Sequence, residues 1–160
     1  MFYISLYLGA VIMANLLIAH FGANAAIPVA FILIGLDLTS RDYLHEIWHG
    51  KYLWPRMLAL IGTGSLLSWL VNYKAGPVAF ASFVAFAFAG LADTISYHIL
   101  RDKVYLLKVN GSNVVSAFVD SLVFPLLAFH AWLPWIVLGQ FAAKFLGGLV
   151  WSVILQYKRR

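Results

Sequence analysis

Apolar residues fill this chain in blocks of about twenty, broken by short polar groups, and the length of the blocks decides what they are. A helix needs roughly 20 mostly apolar residues to cross the ~30 Å hydrocarbon core of a bilayer. Six blocks have that length: Phe2 to His20, Ala25 to Trp48, Trp54 to Asn72, Gly76 to Leu100, Ser112 to Ala131 and Pro134 to Tyr157. Phe21 to Asn24, Tyr73 to Ala75 and His130 to Pro134 read as tight turns, with Gly, Asn or Pro at or near them. Gly50 to Leu53 and Arg101 to Gly111 read as the longer loops. No linker, low-complexity tract or second domain interrupts the pattern. The first block has no basic segment before it and no small-residue cleavage site behind it, so it is expected to stay as a span. The pattern predicts an all-α polytopic membrane protein, a single domain over residues 1–160.

The cations give the six spans a direction. Arg41, Lys51, Arg56, Arg101, Lys103, Lys108, Lys158, Arg159 and Arg160 all fall on one side of a six-span arrangement, against Lys74 alone on the other. By the positive-inside bias that side is cytoplasmic, and both termini with it. Tyr3, Tyr7, Trp54, Trp69, Tyr73, Trp132, Trp135 and Tyr157 fall near span ends, where an amphipathic ring suits the headgroup layer. Composition agrees: 63% of the 160 residues are hydrophobic and 11% charged, against roughly a quarter charged in a globular domain. That leaves no room for a sizeable extramembrane domain. The net charge of +5 is a topology signal, with no soluble basic face for nucleic acid. The lack of cysteine excludes disulfides and thiol chemistry.

Charge inside a bilayer costs at least about 2.5–3.5 kcal/mol per residue, so each buried ion needs a partner or a task. Asp37, Asp120 and Lys144 fall near mid-depth of their spans, and Asp93 lies nearer the cytoplasmic end of the fourth, close to Ser96 and His98. Asn15 adds a neutral polar group. Asn113, Ser116 and Asp120 recur on one helical face, as do Gln140, Lys144, Gly147 or Gly148, and Trp151. The economical arrangement holds Lys144 against one or more aspartates around a water-reachable cavity. One lysine cannot neutralise three acids, which leaves carboxylates for a proton, a cation or the donors of a solute. The alternative for such ions is that they only fix helix packing. Gly9, Ala10, Ala14, Gly147 and Gly148 suit close helix contact, and the phenylalanines from Phe80 to Phe88 suit lipid- or core-facing bulk.

His45-Glu46-Ile47-Trp48-His49 spells H-E-x-x-H, which on a helix puts two zinc ligands on one face with Glu46 as general base. A third ligand would have to come from Asp37, Asp93 or His98. No second protease signature accompanies the motif, and its place beside Arg41, Asp42 and Gly50 equally suits a wetted helix end.

In its polar positions the chain resembles the VUT family of vitamin and queuosine-precursor uptake transporters, in particular its short members. The matching elements are Ala14-Asn15-Leu16, then Ser40-Arg41-Asp42 with Glu46 and Gly50, then Ala81-Ser82 with Ala85-Phe86 and Asp93. Ser112-Asn113, Val119-Asp120-Ser121 with Phe124, Ala128-Phe129, and Gln140 with Lys144 complete the series. Asp37 has no counterpart in it. Glu46 belongs to this pattern, which makes His45 and His49 incidental.

The resemblance implies a non-enzymatic inner-membrane importer of a deazaguanine-type queuosine precursor, working by alternating access around a midplane site. Asn15, Asp93, Asn113, Asp120, Gln140 and Lys144 are the expected solute-binding residues. Asp37, Arg41, Asp42, Glu46, Ser112 and Ser121 are expected gating or structural polar positions. Asp120 or Asp93 would accept the adjacent N–H donors on one edge of a guanine-like base, and aromatic rings would stack on its flat face. No cofactor or metal is implied. The expected partners are a nucleobase-like solute, the lipid bilayer and a second copy in a homodimer. Three alternatives stand beside this one. The chain could be the substrate-capture subunit of an energy-coupling-factor importer, docking through the small-x-x-x-small pair Ala10 and Ala14. It could be a membrane zinc hydrolase, or a holin-like scaffold.

Overall fold

A computed structural model describes residues 2–48, 52–100, 102–103 and 105–157, and among them every long element is a helix. Helix α1 spans Phe2–Phe21 and ends at Gly22, whose φ of +65° only glycine adopts without strain. A 3-10 turn over Gly22–Ala25 leads into a second leg in three pieces: α2 over Ala26–Val29, a π-helical segment over Ala30–Ile34, and α3 over Gly35–Ile47. Helix α4 spans Leu53–Val71. The Asn72 side chain then accepts a hydrogen bond from the Lys74 N–H at 3.1 Å and shapes the 3-10 turn Tyr73–Ala75. Helix α5, Gly76–Ile99, opens with Pro77 where a missing N–H costs nothing. Helix α6 covers Tyr105–Phe129 and α7 covers Pro134–Tyr157. Between them His130 takes a left-handed φ of +51° and turns the chain.

The legs fall where the apolar blocks predict them, with two corrections. The segment expected as a loop from Arg101 to Gly111 is helical from Tyr105 onward. Lys108, Asn110 and Gly111 lower the hydropathy there without stopping a helix that Leu106, Leu107 and Val109 support. The second leg is one path but not one regular α-helix, because five of its residues wind into the wider π form.

Among the described residues three stretches are long and apolar enough to cross a membrane: Phe2–Arg41, which takes in the first two legs, Tyr73–Ser96 and Pro134–Leu155; the apolar helix Asn113–Phe129 is shorter. Large apolar side chains face outward along the legs, among them Leu70, Val71, Phe80, Leu91, Ile95, Leu138 and Val153. Such a surface suits hydrocarbon and would associate in water. The exposed rings of Trp54, Tyr73, Trp132 and Trp135 sit at helix ends, as the interfacial pattern predicts. Tyr7 does not: it is wholly buried, because α1 turns that face inward against Val11, Leu44 and Phe86.

Among the described residues the interior holds two apolar clusters. One gathers Ala14, Ile18, Val29, Ile34, Ala85 and Phe124, and the other Tyr7, Val11, Leu44, Leu60, Ile61 and Phe86. Ala10 and Ala14 are buried inside the bundle, so their small-residue spacing serves packing within this chain and offers no docking ridge to a coupling partner. Gly35 and Gly147 bring the second leg against α7 so closely that a Cβ on Gly147 would run into the backbone of Phe31. This is the helix contact expected of Gly147; Gly148 has open space where a Cβ would stand.

Candidate solute-binding site

Lys144 comes from α7 and is 3% exposed. Its Nζ donates to Asp120 Oδ2 at 2.6 Å, to Ser121 Oγ at 3.1 Å and to Gln140 Oε1 at 3.4 Å. An ammonium has three N–H bonds, and all three have acceptors here. The acceptors follow from local geometry. Gln140 precedes Lys144 by one turn of α7, and Asp120 and Ser121 are consecutive on the facing helix α6. One turn further along α6, buried Pro125 supplies no N–H to the Ser121 carbonyl, so the helix is weakened beside the ion pair.

Asn15 faces this group from α1. Its Nδ2 donates to Ser68 Oγ of α4 at 3.1 Å, and Ser68 in turn donates to the Gly64 carbonyl at 2.7 Å. Asn15, Asp120, Gln140 and Lys144 line one internal cavity together with Ser82, Phe86 and Phe124. Ala14 and Ile18 of α1, and Ala26, Ala30 and Ile34 of the second leg, complete its wall. The polar atoms not engaged on Lys144 or Ser68 are mixed in kind. Asp120 keeps one carboxylate oxygen, Gln140 keeps its NH2, Asn15 keeps its carbonyl, and Ser82 brings a hydroxyl. Two phenyl rings stand among them. The cavity measures about 20 Å³, which at roughly 10–15 Å³ per water holds one or two waters and no ring system. The helices are closed on the site.

The wall on the second leg includes both ends of the π segment, Ala30 and Ile34. A π turn leaves backbone carbonyls out of the usual α ladder, and the Ile32 carbonyl accepts a hydrogen bond from Trp151 Nε1 of α7 at 2.7 Å. Thr39 Oγ1 reaches the Gly148 carbonyl at 3.3 Å while also bonding the Gly35 carbonyl at 2.9 Å.

Of the six side chains expected to bind solute, these contacts bring four together. Asp93 and Asn113 are half-buried outside the cavity wall: Asp93 lies nearly two turns beyond Phe86 on α5, and Asn113 nearly two turns before Asp120 on α6. Of the polar positions outside the site, Ser121 binds Lys144. Asp37 is fully buried in α3, one turn after Ile34, and Arg41 follows one turn later. The side chains of Asp42, Glu46 and Ser112 lie outside the described residues, as do those of His45 and His49. Among the described residues no cluster of three or more metal-binding side chains occurs. Sequence reasoning did not assign the cavity positions of Ser82, Phe86 and Phe124. All three stand in the motifs that carry the family resemblance, which was the available signal, and Phe86 lines the cavity although the stretch from Phe80 to Phe88 was expected as bulk.

A family model described as putative vitamin uptake transporter matches residues 4–157, nearly the whole chain. The chain belongs to the VUT family. Its membership makes this a membrane transport protein of the vitamin uptake type, in agreement with the apolar helices. No curated protein and no solved structure matches the chain. The energy-coupling-factor and zinc-protease alternatives find no support in these comparisons.

Proposed function

We propose that this VUT protein imports a deazaguanine-type queuosine precursor across the inner membrane, through six spans with both termini in the cytoplasm. The observation that carries the proposal is the composition of the closed cavity. A carboxylate, two amides and a hydroxyl share one small space with Phe86 and Phe124. A guanine-like base has adjacent N–H donors on one edge, a carbonyl acceptor beside them and two flat apolar faces. Asp120 accepts the N–H pair, Gln140 and Asn15 serve the mixed positions, and the phenyl rings pack on the faces. Lys144 pairs with Asp120 at 2.6 Å while the site is empty. A cavity of this size takes the base only when the bundle opens, as alternating access requires. The cation asymmetry supports the orientation, and family membership supports uptake.

The test measures uptake of labelled cyano-deazaguanine in cells producing wild type, Asp120→Asn or Lys144→Ala, with each variant confirmed folded in the membrane. A hydrogen bond to a charged group contributes about 1.5–3 kcal/mol, so uptake should fall about tenfold or more in Asp120→Asn. Wild-type rates in both variants would overturn the proposal. In detergent, the same base at a hundredfold excess over Kd should stabilise wild type by about 2.7 kcal/mol, whereas unrelated vitamins should not.

A further inference from the structure

The two apolar clusters lie toward opposite ends of the bundle, with the polar cavity between them. Successive legs reverse direction at short turns, so the end of α1, the start of α5, the end of α6 and the start of α7 share one end. On α1, Tyr7 and Val11 of one cluster come before Asn15, and Ile18 of the other comes after it. On α5, Val78 stands one turn before Ser82 and Phe86 one turn after it, again in different clusters. On α6, Phe124 follows Asp120 by one turn, toward the end that α1 reaches with Ile18. Each cluster contributes one phenyl ring to the wall of the cavity, Phe124 at one end and Phe86 at the other. Both are buried. The Phe124 ring is backed edge-on by Phe129, with centroids 6.1 Å apart and planes at 83°. Phe86 is backed by Tyr7, Val11 and Leu44, with Phe83 alongside.

We propose that Phe124 is the outer gate and Phe86 the inner gate of the cavity, each swinging aside while the other stays shut. This rests on the uptake function and orientation proposed above, and adds the residues that decide from which side the site is reached. A phenyl ring can turn between staggered rotamers without any change in the backbone, so one side chain can uncover one end of a site. With a ring at each end, a flat base has each face covered by a different gate, while Asp120, Gln140 and Asn15 meet its edge. Moving one ring therefore frees one face and leaves the other stacked.

The second leg links the two gates. Val29, just before the π segment, stands in the cluster of Phe124, and Leu44, beyond it, stands in the cluster of Phe86. A π turn is one of the few places where a helix bends sharply. A bend between Val29 and Leu44 can loosen the packing of one ring and keep that of the other, which is what alternating access asks of this leg.

The experiment uses the lack of cysteine in the chain. Ser82→Cys puts a single thiol in the cavity wall, and its reaction with a charged, membrane-impermeant methanethiosulfonate reports access from one face at a time. The reagent is added outside intact cells, or to the cytoplasmic face in inverted membrane vesicles. In the otherwise unchanged protein, labelling should be slow from both faces. Removing a ring removes contacts made only while its gate is shut, so the share of molecules open on that side should rise about tenfold or more. Adding Phe124→Ala should therefore speed labelling from outside only, and adding Phe86→Ala from the cytoplasmic face only. Phe124→Leu and Phe86→Leu keep an apolar side chain in each cluster and should show the same sidedness with a smaller rise, which serves where an alanine variant does not fold. A ring that only packs or stacks would alter stability or affinity without sidedness. A rise from both faces in one variant, a rise from the opposite face, or no rise in any folded variant would overturn the gates. Labelling needs no solute, so the gates can fail while uptake of cyano-deazaguanine stands, and that uptake can fail while the gates stand.

Discussion

The cavity is closed on two sides of α7 by opposite means. Toward α6 the closure is made by side chains, with Lys144 bonded to Asp120, Ser121 and Gln140. Toward the second leg it is made by backbone: Gly35 lies against Gly147, and the Trp151 indole holds the Ile32 carbonyl. The first joint depends on charge and the second on shape. Parting an ammonium from a carboxylate in a low-dielectric interior demands replacement partners at once. Two glycine backbones can slide apart with the loss of contacts and a few hydrogen bonds. Under the uptake cycle proposed above, the second leg is the side expected to open, and its π segment places a break in the α ladder at that wall.

The largest effect belongs to the charged joint. Lys144→Ala leaves Asp120 buried without its cation and should destabilise the folded protein by about 3–5 kcal/mol, measured as the unfolding midpoint in detergent. Adding Asp120→Asn to that variant should recover a large part of the loss, because the uncompensated charge is then gone. Simple additivity of the two changes would show that the joint does not rest on charge.

The backbone joint answers to size. Gly147→Ala sets a Cβ into the Phe31 carbonyl, and neither backbone can yield without shifting a helix. A cost of about 1–3 kcal/mol is expected. Gly148→Ala is the internal control: a Cβ there meets open space, so the better helix former should be neutral or stabilising by up to about 1 kcal/mol. Equal destabilisation in both variants would remove the close approach as the reason for the glycine.

How far these joints were legible in the sequence follows from what each depends on. The cost of a charge in lipid singles out Asp37, Asp120 and Lys144 without any structure. Which acid Lys144 meets depends on how α6 and α7 rotate against each other, and hydropathy does not encode that. Lys144 turned out to face Asp120, while Asp93 and Asn113 lie off the cavity wall for the same reason. Tyr7 was expected in the headgroup layer from its place near a helix end, and hydropathy does not encode the rotation of α1 that turns it inward. The π segment left no trace, because Ala30 to Ile34 is as apolar as any α-helical turn. The six legs were legible because their lengths and turns follow from local composition; besides the π segment, the start of α6 was misjudged, where polar residues continue a helix.

The smallest effect tests the hinge. Trp151→Phe keeps an aromatic ring on α7 and removes the donor to the Ile32 carbonyl. Side-chain hydrogen bonds between membrane helices average about 0.6 kcal/mol, so the unfolding midpoint should barely move. The rate of solute exchange is the sensitive measure, because the lost bond joins the closed cavity wall to α7 and acts on the closed state. Exchange in proteoliposomes should therefore speed up when opening limits the cycle, by about threefold for a bond of that size. An exchange rate unchanged or slower in Trp151→Phe, alongside Gly147→Ala that behaves as expected for stability, would show that the two contacts of the backbone joint do different things. The Gly35–Gly147 approach would then hold the fold, and the π segment would be no hinge.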